Sequence, residues 1–203
     1  MTHAVLFDID GTLLHSAAVD DALYREAVIQ VLGDVRLRPT LHDYEAITDT
    51  GVLGQILRDN DIPGDPLDEV RSLFVQLLWK HVDAHGPFVE IPGASDFLKR
   101  LESSGDHAVA FATGGWRESA MLKLDSAGLV WNGFPLASSN DHHERTGIME
   151  IALSQLGRAF ETVTYYGDGP WDRDACIALG WTFVAVGPEL GGIESYGDQE
   201  VPA

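Results

Sequence analysis

The sequence predicts an α/β protein in which helices cover a parallel sheet and a small α-helical domain is inserted after the first strand. Three observations carry that reading. Short β-rich runs alternate with helix-length patterned segments in the later part of the chain, a long interval without strand pattern follows the first run, and acidic residues stand where two of the runs end.

The β-rich runs are AVLF (4–7), HAVAFAT (107–113), FPLAS (134–138), TVTYYG (162–167) and TFVAVG (182–187). Residues 8–106 separate the first from the second, far more chain than the dozen or so residues of a minimal crossover. Segments 17–32, 51–60 and 66–85 of that interval have helical spacing, as in Leu67, Val70, Leu73, Phe74, Leu77 and Leu78. HGPFVEIPG (85–93) breaks helix with Gly86, Pro87, Pro92 and Gly93 and suits a two-stranded hinge. The expected division is therefore an α/β core of residues 1–15 and 88–203 and a helical domain of residues 16–87. Within the core, ASDFLKRLESSG places Phe97, Leu98 and Leu101 on one face and stops at Gly105, as an amphipathic helix does. GIMEIALSQLG behaves in the same way.

At 203 residues with 45% hydrophobic and 22% charged side chains, the chain has the composition of an ordinary folded protein of one or two domains. Its net charge of −19 argues against nucleic acid and against an acidic membrane surface, both of which attract clustered Lys and Arg. No apolar stretch approaches the ~20 residues that span a bilayer, and no basic, oily leader precedes AVLF. Cys176 is the only cysteine, which fits a reducing compartment. A cytoplasmic protein, a monomer or weak dimer, is expected.

AVLFDIDGTLL ends an oily run on two aspartates, Asp8 and Asp10. Side chains two apart on an extended chain point the same way, and Gly11 lets the backbone turn off at once. In α/β sheets ligands bind beyond the carboxyl ends of the strands, where both acids would stand. YYGDGPWDRD delivers Asp168 and Asp172 to that edge. Carboxylates converging there without a cation would carry a large cost, and an all-oxygen donor set suits Mg²⁺ with a phosphate completing the shell. FATGGW supplies the Thr113 hydroxyl and the N–H groups of Gly114 and Gly115 as an anion cradle.

These motifs resemble the haloacid-dehalogenase-like superfamily, whose first motif, Asp-x-Asp-Gly-Thr after an apolar strand, matches Asp8-Ile9-Asp10-Gly11-Thr12. Thr113, a basic residue before the fourth strand and GDGPWD (167–172) follow in the family's order. The resemblance implies a Rossmann-like core with the helical insert as a cap, of the phosphoglycolate-phosphatase-like branch. It implies Asp8 as nucleophile, Asp10 as acid and base, and Mg²⁺ held by Asp8, the Asp10 carbonyl, Asp168 and Asp172. A small phosphorylated metabolite is the implied substrate. The second aspartate, absent from the founding dehalogenases, favours phosphate chemistry. A sugar phosphomutase and a non-catalytic binding protein retaining the fold are the alternatives.

The family's phosphate-binding lysine has no lysine in its place here; Arg145 occupies the matching position. Lys123 is the rival, yet it lies two turns, roughly 10 Å, along its helix from the sheet edge. Arg145 ranks first, and one of the two is expected to be a solvated surface cation. His142 and His143 read as a polar loop. Trp116 and Trp171 are placed at the mouth of the site or packed under the cap. Ser16, Tyr24, Arg25 and Thr48 are candidate cap-side contacts; ITDTGVLGQIL (47–57) is similar to a Gly-x-Thr-Asp cap segment of relatives but lacks the glycine.

Overall fold

The computed structural model describes residues 2–202. Five parallel strands form one sheet in the order β3-β2-β1-β4-β5, with β1 His3–Phe7, β2 His107–Ala112, β3 Leu136–Ala137, β4 Thr162–Gly167 and β5 Thr182–Ala185. β1 is central and buried throughout, pairing His3 with both His107 and Thr162. Its two apolar faces serve two separate clusters, Val5 and Phe7 packing with Phe97 and Leu101, Ala4 and Leu6 with Ile148 and Cys176. That is why the run reads as continuously oily rather than alternating. β3 is shorter than the expected run, pairing only through Leu136 and Ala137.

After β1 come α1 Ala17–Leu32, a 3₁₀ turn Leu41–Asp43, α2 Asp49–Asp59 and α3 Leu67–His85. Tyr24, Val28, Val52, Ile56, Val70 and Phe74 close a cluster of their own, which reaches the rest of the protein through Trp116 and Leu122. The chain passes between these helices and the sheet twice, near residues 15 and 90. The two passages pair antiparallel: His15 N–H donates to the Val89 carbonyl at 2.9 Å and Ile91 N–H to Leu13 at 2.8 Å.

The remaining helices are α4 Ala94–Ser103, α5 Arg117–Ala127, α6 Arg145–Gln155 and α7 Pro170–Leu179. α5 and α7 end at Gly128 (φ 68°) and Gly180 (φ 70°), the left-handed conformation that a C-terminal turn needs and glycine adopts at little cost. α7 starts with proline in its first turn, where the missing N–H is not needed. Residues beyond β5, to which the sequence assigned no element, fold back over β1. Tyr196 is fully buried, stacks on Phe97 and donates its hydroxyl to the Thr12 carbonyl at 3.0 Å, tying the tail to the loop that carries the two aspartates.

Candidate active site

β1 delivers Asp8 to the carboxyl edge of the sheet, where it is 3% exposed. β4 delivers Asp168 beside it, and the first turn of α7 brings Asp172, fully buried. Oxygens of these three carboxylates lie within 4.8 Å of one another. Gly11 makes the approach feasible: its φ is 77°, and a Cβ there would fall 2.0 Å from Asp168 Oδ2. Gly167 plays the same part for Asp172, whose Oδ2 would lie 2.6 Å from an added Cβ. Gly11→Ala should therefore cost ~1–2 kcal/mol through the left-handed backbone alone, read as a lower Tm. It should also expel Asp168 from its position and depress activity; wild-type Tm and activity would refute this account of the glycine.

Arg145, first residue of α6, is the counter-charge. Its Nη1 donates to Asp8 Oδ1 at 3.1 Å, and its Nε stands 3.3 Å from Asp172 Oδ1 without hydrogen-bond geometry. One guanidinium thus faces three acids. Burial raises the Asp8 carboxyl well above its ordinary range, Arg145 pulls it down, and Asp172 and Asp168 push it up. Burial, then Asp172, raises Asp168 to about 7. Asp172 is raised chiefly by burial, against Arg145. Asp172 Oδ1 is buried with no hydrogen-bond donor, an oxygen with unspent acceptor capacity inside a surplus of negative charge. An all-carboxylate donor set of this kind fits a hard divalent cation.

Asp10 belongs to a different environment. Its carboxylate turns from the cluster and accepts from Ser16 at 2.5 Å and from Lys123 Nζ at 2.6 Å. Lys123 also donates to Asp20 of α1 and is wholly buried. Neither Arg145 nor Lys123 is a surface cation, correcting the expectation that one of them would be. Lysine side chains on a helix lean toward its N-terminus, and Asp10, three residues past the end of β1, meets Lys123 part-way. Any ligation of a metal by Asp10 is left to its backbone carbonyl, since its carboxylate lies outside the three-acid cluster.

The Thr113-Gly114-Gly115 turn closes β2, and its cradle is narrower than the sequence suggested. The Gly115 N–H is already bound to Thr113 Oγ1 at 3.1 Å, and the Trp116 N–H to Asp49 Oδ2 at 2.8 Å. Among the described residues the N–H groups of Gly114 and Asp10 carry no internal hydrogen bond. A Cβ on Gly114 would meet the Ile47 carbonyl at 2.9 Å and Arg145 Nη2 at 3.2 Å, so the turn admits nothing larger.

Asp49 joins the helical segment to this turn: its N–H donates to the Gly114 carbonyl at 2.8 Å, and its own carbonyl accepts from the Tyr24 hydroxyl at 2.7 Å. Thr48 caps α2 through Gly51 N–H and donates to the His143 carbonyl at 2.7 Å, so its hydroxyl is committed to docking rather than to a ligand. Between the helices and the sheet edge remains a cavity of about 540 Å³, lined by Asp8, Asp10, Thr113, Arg145 and Asp168 on one side and by Asp20, Tyr24, Arg25 and Asp49 on the other. Trp171 borders it against His42; Trp116 is fully buried, packed on Tyr24 and Phe74. His142 and His143 stack on each other in the loop before α6, outside the acid cluster. Asp20 and Asp49 are the site residues that the sequence reading did not single out.

A sequence profile of haloacid dehalogenase-like hydrolases matches residues 2–180, and the chain belongs to that family. It is an enzyme of the hydrolase class. Enolase-phosphatase E1 of Nocardia farcinica is 25% identical over 92% of this chain and 87% of its own. Two solved structures share the fold. CbbY from Rhodobacter sphaeroides, in complex with phosphate, has a TM-score of 0.69 and 19% identity over 98% of this chain and 90% of its own. β-Phosphoglucomutase from Clostridium difficile has a TM-score of 0.72 and 16% identity over 93% and 86%. Among the described residues no helix is long and apolar enough to cross a membrane.

Proposed function

We propose that this enzyme is a Mg²⁺-dependent phosphomonoester hydrolase acting on a small phosphorylated metabolite through an aspartyl-phosphate. The observation that carries the reading is the separation of two aspartates only two residues apart. Asp8 sits among carboxylates and a guanidinium, whereas Asp10 is held aside by Ser16 and Lys123. Different partners suit different tasks, nucleophile for the first and proton carrier for the second.

An Asp8 oxygen attacks phosphorus as the bond to the leaving oxygen breaks, and Asp10 protonates the departing alkoxide. Water then attacks the aspartyl-phosphate, Asp10 takes its proton, and inorganic phosphate leaves with Asp8 restored. Ser16 and Lys123 fix the Asp10 carboxylate for both transfers. The phosphate oxygens are received by Arg145, Thr113 and the free N–H groups of Gly114 and Asp10; arginine grips such oxygens with a planar fork. Asp8, Asp168, Asp172 and the Asp10 carbonyl would hold Mg²⁺, which when bound offsets repulsion between nucleophile and phosphate. Residues 16–87 act as the cap and exclude water through the docking of Asp49 and Thr48.

The test is release of inorganic phosphate from a panel of phosphate esters with and without Mg²⁺. Mg²⁺-dependent release supports hydrolysis, conversion between sugar-phosphate isomers without release favours a phosphomutase, and release that is indifferent to Mg²⁺, or neither reaction, overturns the proposal.

A further inference from the structure

The half of the cavity that receives the alcohol portion of the substrate is negatively charged and holds no unpaired cation among the described residues. α1 contributes Asp20 and Asp21, the start of α2 contributes Asp49, and Glu189 follows β5. Each positive group near them is already engaged. Arg25 Nε lies 3.0 Å from both oxygens of Asp21, and its Nη1 donates to the Arg38 carbonyl at 3.0 Å. Lys123 is held between Asp10 and Asp20. His42 faces Glu189 at 3.3 Å. Arg145 belongs to the phosphate end, on Asp8 and Asp172.

The helix N-termini in this half of the cavity, which elsewhere attract anions, each carry an acid in the first turn. The first turn of α1, whose Ala17 and Ala18 line the cavity, already contains Asp20, and α2 begins with Asp49 itself. Burial raises the carboxyls of Asp20 and Asp49, yet protonating them removes negative charge without supplying a positive one. An anionic group on the leaving alcohol would thus enter a partly desolvated wall lined by four acids and offering no free cation among the described residues, where its charge goes uncompensated whether Asp20 and Asp49 carry their protons or not.

Resting on the phosphatase reading above, we propose that the substrate carries its phosphate as its only anionic group, on an uncharged or ammonium-bearing alcohol, and that carboxylated or doubly phosphorylated substrates are rejected. Rejection by like charge is a specificity device that needs no attractive contact to the preferred substrate. The cavity, about 540 Å³, has room for a sugar-sized alcohol.

Matched series differing in one group test this: phosphoethanolamine, 2-hydroxyethyl phosphate and phosphoglycolate, and glucosamine 6-phosphate, glucose 6-phosphate and 6-phosphogluconate, with p-nitrophenyl phosphate as the reference ester. In whichever series turns over, kcat/KM for the carboxylate should be at least tenfold below the neutral and ammonium members. Asp21→Asn, which removes one charge and releases Arg25, should narrow that ratio severalfold. Because a loss of structure would lower all members together, the ratio is read on the folded variant, at matched Tm. Equal or preferred turnover of the carboxylate, or a ratio that Asp21→Asn does not move, overturns the proposal while leaving the phosphatase reading intact. No phosphate from any ester overturns both.

Discussion

Asp8→Asn should lower kcat by a factor on the order of 10⁴ or more, because losing the nucleophile removes the covalent route rather than weakening one contact. The substitution is nearly isosteric, so the fold should persist. It also takes one negative charge out of a buried group of three served by one guanidinium, so the metal-free variant should melt above wild type at pH 8. Loss of activity with gain of stability separates a functional carboxylate from a structural one: a structural Asp8 bound to Arg145 would lose stability when neutralised. Asp10→Asn should behave differently. Proton transfer contributes ~10²–10⁴ in rate, and the defect should be smallest for esters with good leaving groups such as p-nitrophenol, which depart without a proton. Phosphate release at wild-type rate by Asp8→Asn would remove the nucleophile from the mechanism.

The sheet, the long helical interval and the acids at the strand ends were legible because each depends on local signals. Runs of β-branched and aromatic residues, helical periodicity and glycines at turns are written within a few positions of where they act. The three-acid cluster was legible for a related reason, since parallel strands put their carboxyl ends on one edge and so bring Asp8 and Asp168 together whatever the loops do. Lys123 was not, because its reach depends on the path of the chain after β1 as well as on its own helix. Asp20 and Asp49 were hidden more deeply. Each becomes part of the site only when α1 meets Lys123 of α5 and α2 docks on the turn at Gly114, contacts made across 103 positions between Asp20 and Lys123 and 67 between Asp49 and Trp116. Nothing in the local pattern of AAVDDAL distinguishes an acid that meets a buried lysine from one on a solvated helix face.

The metal-free protein should lose thermal stability as pH rises, and divalent cation should restore it. Asp168 and Asp20 each have an ordinary value of 3.8 and are raised to about 7 in the folded protein, Asp8 and Asp172 are raised as well, and burial is the largest cause in all four. A group raised on folding binds its proton more tightly in the folded state. Its contribution to stability is complete below the unfolded value and disappears as pH climbs through the folded one. The loss should therefore run from about pH 4 to about pH 7 and persist above it, the reverse of the behaviour of a protein whose carboxylates are stabilised as anions. Each tenfold difference between the two constants is worth ~1.4 kcal/mol, and mutual coupling within the cluster keeps the total to a few kcal/mol, roughly 5–10 °C in Tm for a chain of this size. Mg²⁺ competes with protons for the same oxygens, so its effect should be small at pH 5 and largest at pH 8. Thermal melts in EDTA and in Mg²⁺ at pH 5 and pH 8 measure all four corners. A metal-free Tm that rises with pH, or an equal Mg²⁺ shift at both, would mean that the buried acids are already neutralised by the protein's own cations.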